Sequence, residues 1–360
     1  MAETGRLVGP VEVVGTGLVG TSVALACRRA GLEVLLSDRS DEHVRTASGL
    51  GAGRARRPDD RPQLVVVAVP PDALGPVITA ALQASEAVVT DVGSIKARPL
   101  AHVLADPSAA GHAARYVGSH PMAGSEHSGP LAATATLFEG RPWAITPHPG
   151  ADVAAVELVE DLVRVVGAVV AWLTPEEHDR AVARISHVPH LVSSLVAARL
   201  AGAPDNHLSL SGQGVRDVTR VAAGDPRLYG QIVSGNAAAV GELLVELRRD
   251  LDAMIEAIGA DQRGDLEQLL EVGVAGTRAI PGKHGAPATA TVSVFVTVPD
   301  HPGELARLLA DAVASEVNVE DIRIDHDTSR PTGLVELVVD ERSGERLLVS
   351  LESRGWVTHR

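Results

Sequence analysis

The chain has 360 residues, of which 45% are hydrophobic and 22% are charged. These proportions are typical of a globular protein with two or three domains, and they exclude a disordered, fibrous or membrane-spanning chain. The formal net charge of -14 argues against nucleic acid and acidic membranes as partners, because both require a basic surface. The N-terminus lacks a secretory signal pattern, and the single cysteine, Cys27, cannot form an internal disulfide. We therefore expect a cytoplasmic protein.

The first domain, residues 1–173, alternates between apolar strands and helices. Strands are predicted at residues 11–14, 33–36, 64–69, 87–90, 116–118, 143–146 and 168–173, with helices at 21–30 and 153–166. Uninterrupted apolar runs such as residues 64–69 are typical of parallel strands covered by helices on both faces. The fold class is therefore α/β, beginning with a Rossmann-type doubly wound sheet.

A glycine-rich turn, GTGLVG, connects the first strand to the first helix. Its glycines follow the GxGxxG pattern, and Asp38 ends the second strand about 20 residues later, as in dinucleotide-binding folds. Because Asp38 would repel a 2'-phosphate, NAD is favoured over NADP, although Arg39 beside it weakens that preference. The alternative is that the glycines only turn a corner of the sheet. The predicted cofactor-binding residues are Gly15, Gly17, Leu18, Val19, Gly20, Asp38, Val69, Pro70 and Lys96.

The second domain, residues 174–282, is predicted to be all-α. Thr174 precedes a proline and two glutamates, which is the pattern of a helix N-cap. The segment 237–258 is a long amphipathic helix that suits packing against a second copy of the chain. We therefore expect a dimerisation domain and a homodimer.

The third domain, residues 291–360, follows a linker at 283–290 that is rich in turn-forming residues. Strands are predicted at 291–298, 317–325, 333–340 and 356–358, with helices at 304–315 and 343–353. This order is the ferredoxin-like βαββαβ unit, a fold that by itself identifies no ligand.

Two motifs of the first domain carry side chains suited to chemistry: DVGSIK at 91–96 and GSHPMAGSEHSG at 118–129. They place Ser94, Lys96, His120, Ser125 and Glu126 beyond the carboxyl ends of predicted strands, where doubly wound folds bind ligands. Lys96 stands out because the chain has only one other lysine among 32 Lys and Arg residues.

The helical domain adds the motifs SHVPH at 186–190 and GVRDVTR at 214–220. Arg216 and Arg220 are four residues apart, so on a helix they share a face and could bind an anion together. His187 lies on an apolar helix, where a histidine is more often a core residue than a catalyst. His190 follows in the same motif. No Cys/His spacing typical of a metal site occurs, and we expect no metal.

These motifs, in this order and spacing, resemble those of the prephenate dehydrogenase family, and the segment VPDHPGELARLLADAVASEVNVEDIRI resembles an ACT domain. The resemblance covers nearly the whole chain. It implies oxidative decarboxylation of prephenate to 4-hydroxyphenylpyruvate with NAD, a step of tyrosine biosynthesis. It also implies that His120 polarises the ring 4-hydroxyl, that Ser94 holds this hydroxyl, and that Arg220 binds a substrate carboxylate.

Other substrate contacts are less specific. Besides these catalytic residues, the predicted substrate-binding residues are Ser125, Glu126, His190 and Arg216; Asp179 resembles a family position near the domain interface. The family often has lysine where this chain has Arg216. The elementary chemistry agrees with the assignments, because hydride departure requires an oxygen that loses its proton to a nearby base.

Three alternatives remain at this point. Arogenate differs from prephenate by an amino group, which an acid such as Glu126 could bind, so an arogenate dehydrogenase has the same motifs. A hydroxyacid or imino-acid reductase has a similar architecture but leaves GSHPMAGSEHSG unexplained. A tyrosine-responsive NAD sensor without catalysis is the third, and Ser94, His120 and Arg220 argue against it.

The resemblance to ACT domains also implies feedback control by an amino acid such as tyrosine. In these domains the effector binds near the loop between the first strand and the first helix. The predicted effector residues are Asp300, His301, Pro302, Gly303 and Asn318. The alternative is a domain used only for assembly.

Overall fold

The computed structural model of the protein describes residues 6–124, 128–280, 290–326 and 332–359. The chain divides into two compact units, Met1–Leu251 and Asp252–Arg360. The boundary lies within a long helix, whereas the predicted linker at 283–290 lies almost entirely outside the described residues. Among the described helices, none combines the length and apolar character needed to cross a membrane.

The first unit contains an eight-stranded sheet. Its strands are β1 (Val11–Val14), β2 (Val34–Ser37), β3 (Arg54–Ala55), β4 (Leu64–Val67), β5 (Val88–Asp91), β6 (Tyr116–Pro121), β7 (Pro142–Thr146) and β8 (Val169–Trp172). Their spatial order is β3-β2-β1-β4-β5-β6-β7-β8. The first six follow the Rossmann order, which confirms the predicted fold.

The sequence pattern misses two features of this sheet. Strand β7 runs antiparallel to β6, whereas the other neighbours are parallel. An apolar run predicts that a strand is buried but not its direction, so the sequence pattern does not show that β7 is antiparallel to β6. Strand β3 has only two residues and carries no apolar run that could have predicted it.

Helices cover both faces of the sheet. They are α1 (Leu18–Arg29), α2 (Asp41–Gly49), α3 (Pro71–Ala84), α4 (Ala97–Ala105) and α5 (Val153–Val165). Side chains of β4 alternate between the faces: Leu64 and Val66 join the core beneath α1 and α5, while Val65 and Val67 join the core beneath α3. Each such buried side chain stabilises the fold by about 1.5–3 kcal/mol.

Helices alone follow the sheet. They are α6 (Pro175–Val182), α7 (Val188–Ala198), α8 (Asp205–Leu208), α9 (Gln213–Thr219), α10 (Pro226–Gly235), α11 (Ala237–Gly259) and α12 (Arg263–Arg278). A π-helical turn, Ala183–His187, joins α6 to α7. The Thr174 hydroxyl accepts a hydrogen bond from the Glu177 backbone N–H, and the Glu177 carboxylate accepts one from the Thr174 N–H. This capping box confirms the predicted helix start.

The second unit ends in a four-stranded antiparallel sheet. Its elements are β9 (Thr291–Pro299), α13 (Glu304–Val313), β10 (Val319–His326), β11 (Thr332–Asp340), α14 (Glu341–Ser353) and β12 (Val357–His359). The order β10-β11-β9-β12 is that of the ferredoxin-like fold. The predicted βαββαβ unit is confirmed, with boundaries that shift by one or two residues at most elements.

Candidate active site

The turn between β1 and α1 has the geometry of a dinucleotide-binding loop. Gly15 has a φ of +99°, and a Cβ atom there would lie 2.3 Å from the Ala68 carbonyl oxygen. A Cβ on Gly20 would lie 1.9 Å from the Gly15 carbonyl oxygen, so both positions require glycine. A Cβ on Gly17 would meet no described atom within 4 Å. The N-terminus of α1 is thus open to a phosphate group.

The other residues predicted to bind the cofactor in this region flank the turn. Leu18 is buried and Val19 packs against the core, so these two can offer backbone N–H groups only. Val69 follows β4, and its Cγ1 atom lies 3.2 Å from the position of a Cβ on Gly15. Pro70 is the N-cap of α3. The structure therefore places the predicted residues of the glycine turn next to those that follow β4.

Asp38 follows β2, and hydrogen bonds to its carboxylate hold it in place. Its Oδ2 atom accepts from the Thr16 N–H at 2.6 Å and from the Thr16 hydroxyl at 3.1 Å, while Oδ1 accepts from the Ser40 N–H at 2.8 Å. Burial alone raises the pKa of Asp38, but these hydrogen bonds outweigh burial and lower it. A charged carboxylate therefore stands at the end of β2, beside exposed Arg39.

Lys96 lies at the N-cap of α4 and is fully buried. Its Nζ atom forms an ion pair with Asp91 Oδ2 and donates to the Ser119 carbonyl oxygen at 2.7 Å. Asp91 Oδ1 accepts from the Tyr116 hydroxyl at 2.8 Å. The ammonium of Lys96 therefore contacts the protein interior rather than an open site.

His120 lies near the end of β6 and is partly exposed. Its Nδ1 atom is 2.9 Å from Nε2 of His178, and the two rings meet edge to face. On the other side of the His178 ring, Nδ1 lies 2.9 Å from Asp179 Oδ1. The three side chains form a line that runs from a buried carboxylate to an accessible imidazole.

The electrostatic setting keeps both rings neutral. Burial lowers the pKa of His120 well below its usual value, and the nearby His178, Lys96 and His187 lower it further. Burial also lowers the pKa of His178, although Asp179 partly opposes this shift. A neutral imidazole at the end of β6 can accept a proton at physiological pH.

Asp179 also ties α6 to two other helices. Its carboxylate accepts from the backbone N–H groups of Lys96 at 2.8 Å and Ala97 at 2.9 Å, which caps α4. Its carbonyl oxygen accepts from Asn236 Nδ2 at 2.7 Å, and this amide lies 3.3 Å from His187 Nδ1. Burial lowers the pKa of His187 to about 4, so this ring is a neutral core group.

The remaining predicted residues of the two motifs are placed as follows. Ser94 is partly exposed in the turn between β5 and α4, two residues before Lys96. Ser125 and Glu126 lie outside the described residues. The structure thus places Ser94 just after β5 and His120 near the end of β6, the parallel strand that pairs with β5.

Arg216 and Arg220 are exposed at the end of α9 and at the start of the 3-10 turn that follows it. Neither guanidinium has a carboxylate partner among the described residues. Their fork of N–H donors is therefore free to bind an anion.

His190 is buried in α7 and stacks on Tyr229, with ring centroids 3.3 Å apart. A Cβ on Gly224 would lie 2.8 Å from the Tyr229 ring and 3.1 Å from His190 Cε1, so glycine permits this packing. The Val221 backbone bonds to the His190 ring, while Nδ1 has no partner among the described residues.

Comparison with known proteins gives a consistent result. Residues 23–172 match the family model described as prephenate dehydrogenase, nucleotide-binding domain, and residues 174–272 match prephenate dehydrogenase, dimerization domain. A probable prephenate dehydrogenase, NovF, from Streptomyces niveus is 36% identical over 359 residues, which covers 96% of this chain and 98% of that protein. The chain belongs to the prephenate dehydrogenase family.

Other relatives of this family extend the likeness. Prephenate dehydrogenase from Bacillus subtilis is 28% identical and covers 87% of each chain. The structure of the A. aeolicus prephenate dehydrogenase, in complex with hydroxyphenyl propionate and NAD+, has a TM-score of 0.66 and 28% identity over 75% of this chain and 98% of that one. Synechocystis arogenate dehydrogenase has a TM-score of 0.62 and 27% identity over 74% and 98%.

Membership of this family makes the chain an oxidoreductase. The structure also contains residues of this region that the sequence interpretation missed. His178 and Asn236 carry no prediction from the sequence, although both lie in the hydrogen-bond system around Asp179. The available signal for His178 is its position, because it directly precedes Asp179 in the first turns of α6. Tyr229 belongs to no motif, and its stacking on His190 follows only from the fold.

The C-terminal domain has a cavity of about 200 Å³ beside two of the predicted effector residues, Asp300 and His301. Its wall is completed by Val298, Pro299, Leu305, Ile324, Gly333 and Val335. Pro302 and Gly303 continue the same loop, and Gly303 has a φ of +97° at the N-cap of α13. Asn318 does not line this cavity, and its amide donates to Glu320. The described residues contain no group of side chains that could hold a metal ion.

Proposed function

We propose that the protein catalyses the NAD-dependent oxidative decarboxylation of prephenate to 4-hydroxyphenylpyruvate in tyrosine biosynthesis. The observation that carries this proposal is His120, a neutral and accessible base at the end of β6 whose inner nitrogen is already bonded to His178. The family, and the hydroxyphenyl propionate held by the A. aeolicus enzyme, support the choice of substrate class. We place the enzyme in the cytoplasm, where the buried free thiol of Cys27 would stay reduced.

The residues of the first domain fit NAD. The open N-terminus of α1 at Gly17 suits the pyrophosphate, and the Asp38 carboxylate suits the ribose hydroxyls. When bound, NAD+ supplies the hydride acceptor. The charge on Asp38 disfavours the additional phosphate of NADP.

Oxidation of prephenate requires a base beside the oxygen of its 4-hydroxyl group. As hydride leaves the ring carbon that carries the 4-hydroxyl, Nε2 of His120 accepts the hydroxyl proton, and the new C=O bond forms. Loss of CO2 from the opposite ring carbon leaves its electron pair in the ring and gives an aromatic phenolate, which takes the proton back from His120 to form the product. A positioned general base contributes roughly 10²- to 10⁴-fold to the rate. We assign Ser94 to holding the hydroxyl, and Arg220 to binding a carboxylate through two parallel hydrogen bonds.

The helical domain supports a homodimer. One face of α11 exposes apolar side chains that a second copy would cover: Leu247, Leu251, Ile255 and Ile258. The matching family model is described as a dimerization domain. An exposed apolar stripe of this length is typical of a subunit interface. Size-exclusion chromatography with light scattering tests this, and a monomer at micromolar concentration would contradict it.

A second candidate substrate is arogenate. Synechocystis arogenate dehydrogenase and the A. aeolicus prephenate dehydrogenase are nearly equally similar to this chain. The amino group of arogenate requires an acceptor or a carboxylate, and Glu126 is the acid assigned to that role from the sequence. Values of kcat/KM for prephenate and arogenate, measured under the same conditions, distinguish the two functions.

The catalytic test is the variant His120→Asn, assayed by NADH formation with prephenate. We expect kcat to fall by roughly 10²- to 10⁴-fold, because asparagine cannot take up a proton. The affinity for NAD should remain, since His120 lies away from the glycine turn. The matched control is His148→Asn, which alters a buried histidine bonded to the Ala113 carbonyl oxygen and the Gly150 N–H. Undiminished turnover in His120→Asn would contradict the proposal.

We further propose that tyrosine regulates the enzyme by binding in the C-terminal cavity beside Asp300 and His301. The loop and the apolar wall suit an amino acid with a ring. The variant Asp300→Ala should weaken tyrosine inhibition without changing kcat for prephenate. Inhibition that persists and is competitive with prephenate would instead locate tyrosine binding in the active site, where tyrosine resembles the product.

A further inference from the structure

We infer that His178 is a positioning residue that fixes which nitrogen of His120 carries the proton. The inference deepens the proposed function, because it rests on Nε2 of His120 as the base. His178 is 1% exposed, and each of its two ring nitrogens lies 2.9 Å from one partner, His120 or Asp179. No other side chain is needed to define the proton positions along this line.

The proton positions follow from what each group can donate or accept. The Asp179 carboxylate is an acceptor that already takes hydrogen bonds from the Lys96 and Ala97 N–H groups. Nδ1 of His178 must therefore carry a proton and donate to Asp179. In a neutral ring this leaves Nε2 of His178 bare, so Nε2 accepts a hydrogen bond from Nδ1–H of His120.

This arrangement of protons determines the state of Nε2 of His120, the nitrogen that faces the substrate. With the proton held on Nδ1, Nε2 of His120 is bare and can accept the substrate hydroxyl proton. Without His178, the two neutral tautomers of His120 would compete, and the form protonated at Nε2 cannot act as a base. In Ser-His-Asp triads, a change that favours the wrong tautomer lowers kcat by about 10⁴-fold. His178 also accepts from the imidazolium form of His120 after proton transfer, which holds the ring in place through the reaction.

The test compares His178→Leu with His178→Gln. Leucine fills the volume but cannot accept a hydrogen bond, whereas the glutamine side chain can bring an oxygen to the position of Nε2. We expect kcat to fall roughly 100-fold in His178→Leu and to recover to within about tenfold of the unmodified enzyme in His178→Gln. KM for prephenate and the affinity for NAD should change by no more than about threefold in both.

A control and a spectroscopic measurement separate positioning from folding. His148→Leu removes a buried histidine with backbone partners elsewhere in the same domain and should keep kcat. Selective ¹⁵N-histidine NMR, assigned with His120→Asn, should find His120 protonated at Nδ1 in the unmodified protein and partly at Nε2 in His178→Leu. Unchanged kcat or an unchanged His120 tautomer in a folded His178→Leu variant would overturn the inference.

A third variant of His178 separates its positioning role from a role in packing. If His178→Leu does not fold, His178→Asn replaces it, because asparagine can bond to Asp179 but ends short of His120. A kcat equal in His178→Asn and His178→Gln would overturn the positioning role. Full turnover in His120→Asn would instead contradict the proposed function, and the hydrogen bonds of His178 would then have only a structural role.

Discussion

The ammonium of Lys96 and the carboxylate of Asp91 form an ion pair in which neither side chain has exposed surface. Both groups have further hydrogen-bond partners, since Lys96 also donates to the Ser119 carbonyl oxygen and Asp91 accepts from the Tyr116 hydroxyl and the Gly93 N–H. Burial of an ion pair is tolerated only when its polar atoms are satisfied in this way. The pair joins β5 to β6 directly before His120, so it supports the strand that carries the base.

This relationship predicts that Lys96→Met destabilises the protein strongly. The Asp91 carboxylate would stay buried without its cation, and the loss should be about 3–5 kcal/mol in the free energy of unfolding, measured with urea. The double variant Asp91→Asn/Lys96→Met removes both charges and should recover part of this loss. As a control, Arg263→Met breaks an exposed pair with Glu267 and should change stability by less than about 1 kcal/mol. Additive effects of the two substitutions at 91 and 96 would contradict the coupling.

The role proposed for Lys96 shows where sequence interpretation reaches its limit. Its rarity and its position beyond β5 indicate a cation near the cofactor or substrate, whereas the structure places its ammonium on Asp91. Spacing along the chain predicts which end of a strand a residue occupies, and it does so correctly for Ser94 and His120. It does not predict whether a long side chain turns toward solvent or into the core, because that depends on partners such as Tyr116.

The sequence predicts the fold more completely than it predicts the side-chain contacts of the site. The glycine turn, the capping box at Thr174 and the βαββαβ order each depend on residues close together in the chain, and each is present as predicted. The contact between His120 and His178 joins residues 58 positions apart, and the bond between Asp179 and Asn236 joins residues 57 apart. These contacts join α6 to β6 and to the C-terminal end of α10, and they have no local signature in the sequence.

Acidification should destabilise the protein through its buried histidines. The pKa of His187 is about 4 in the folded protein and about 6.5 in the unfolded chain, so between these values the unfolded state binds more protons. Stability from this group is therefore complete above pH 6.5 and is lost as the pH falls toward 4. By pH 5 the loss should be about 1–2 kcal/mol in the free energy of unfolding.

The variant His187→Gln isolates this effect. Glutamine does not titrate, so the difference in unfolding free energy between pH 7 and pH 5, measured with urea, should be smaller in this variant than in the unmodified protein. If the pH dependence were identical in His187→Gln and the unmodified protein, His187 would be protonated equally in the folded and unfolded states, which contradicts the prediction.

Asp38→Ser should shift cofactor preference toward NADP. Serine removes the charge that would repel a 2'-phosphate and keeps an oxygen that can bond to the Thr16 N–H. The ratio of kcat/KM for NAD to that for NADP should fall by about tenfold or more, which corresponds to about 1.4 kcal/mol. The adjacent exchange Arg39→Ser provides the comparison and should move the ratio in the opposite direction, because it removes a cation that favours the phosphate. An unchanged ratio in Asp38→Ser would take the ribose contact away from this residue.

Arg220→Lys should separate the shape of the guanidinium from its charge. Lysine keeps the positive charge but cannot form two parallel hydrogen bonds to one carboxylate, so KM for prephenate should rise by roughly 10-fold or more. Arg216→Lys should have a smaller effect, because the family often has lysine at that position. Arg164→Lys is the control, since Arg164 pairs with Glu160 on its own helix. Equal KM values for Arg220→Lys and the unmodified enzyme would mean that the carboxylate is bound by another cation, and Arg216→Ala would then be the variant that raises KM.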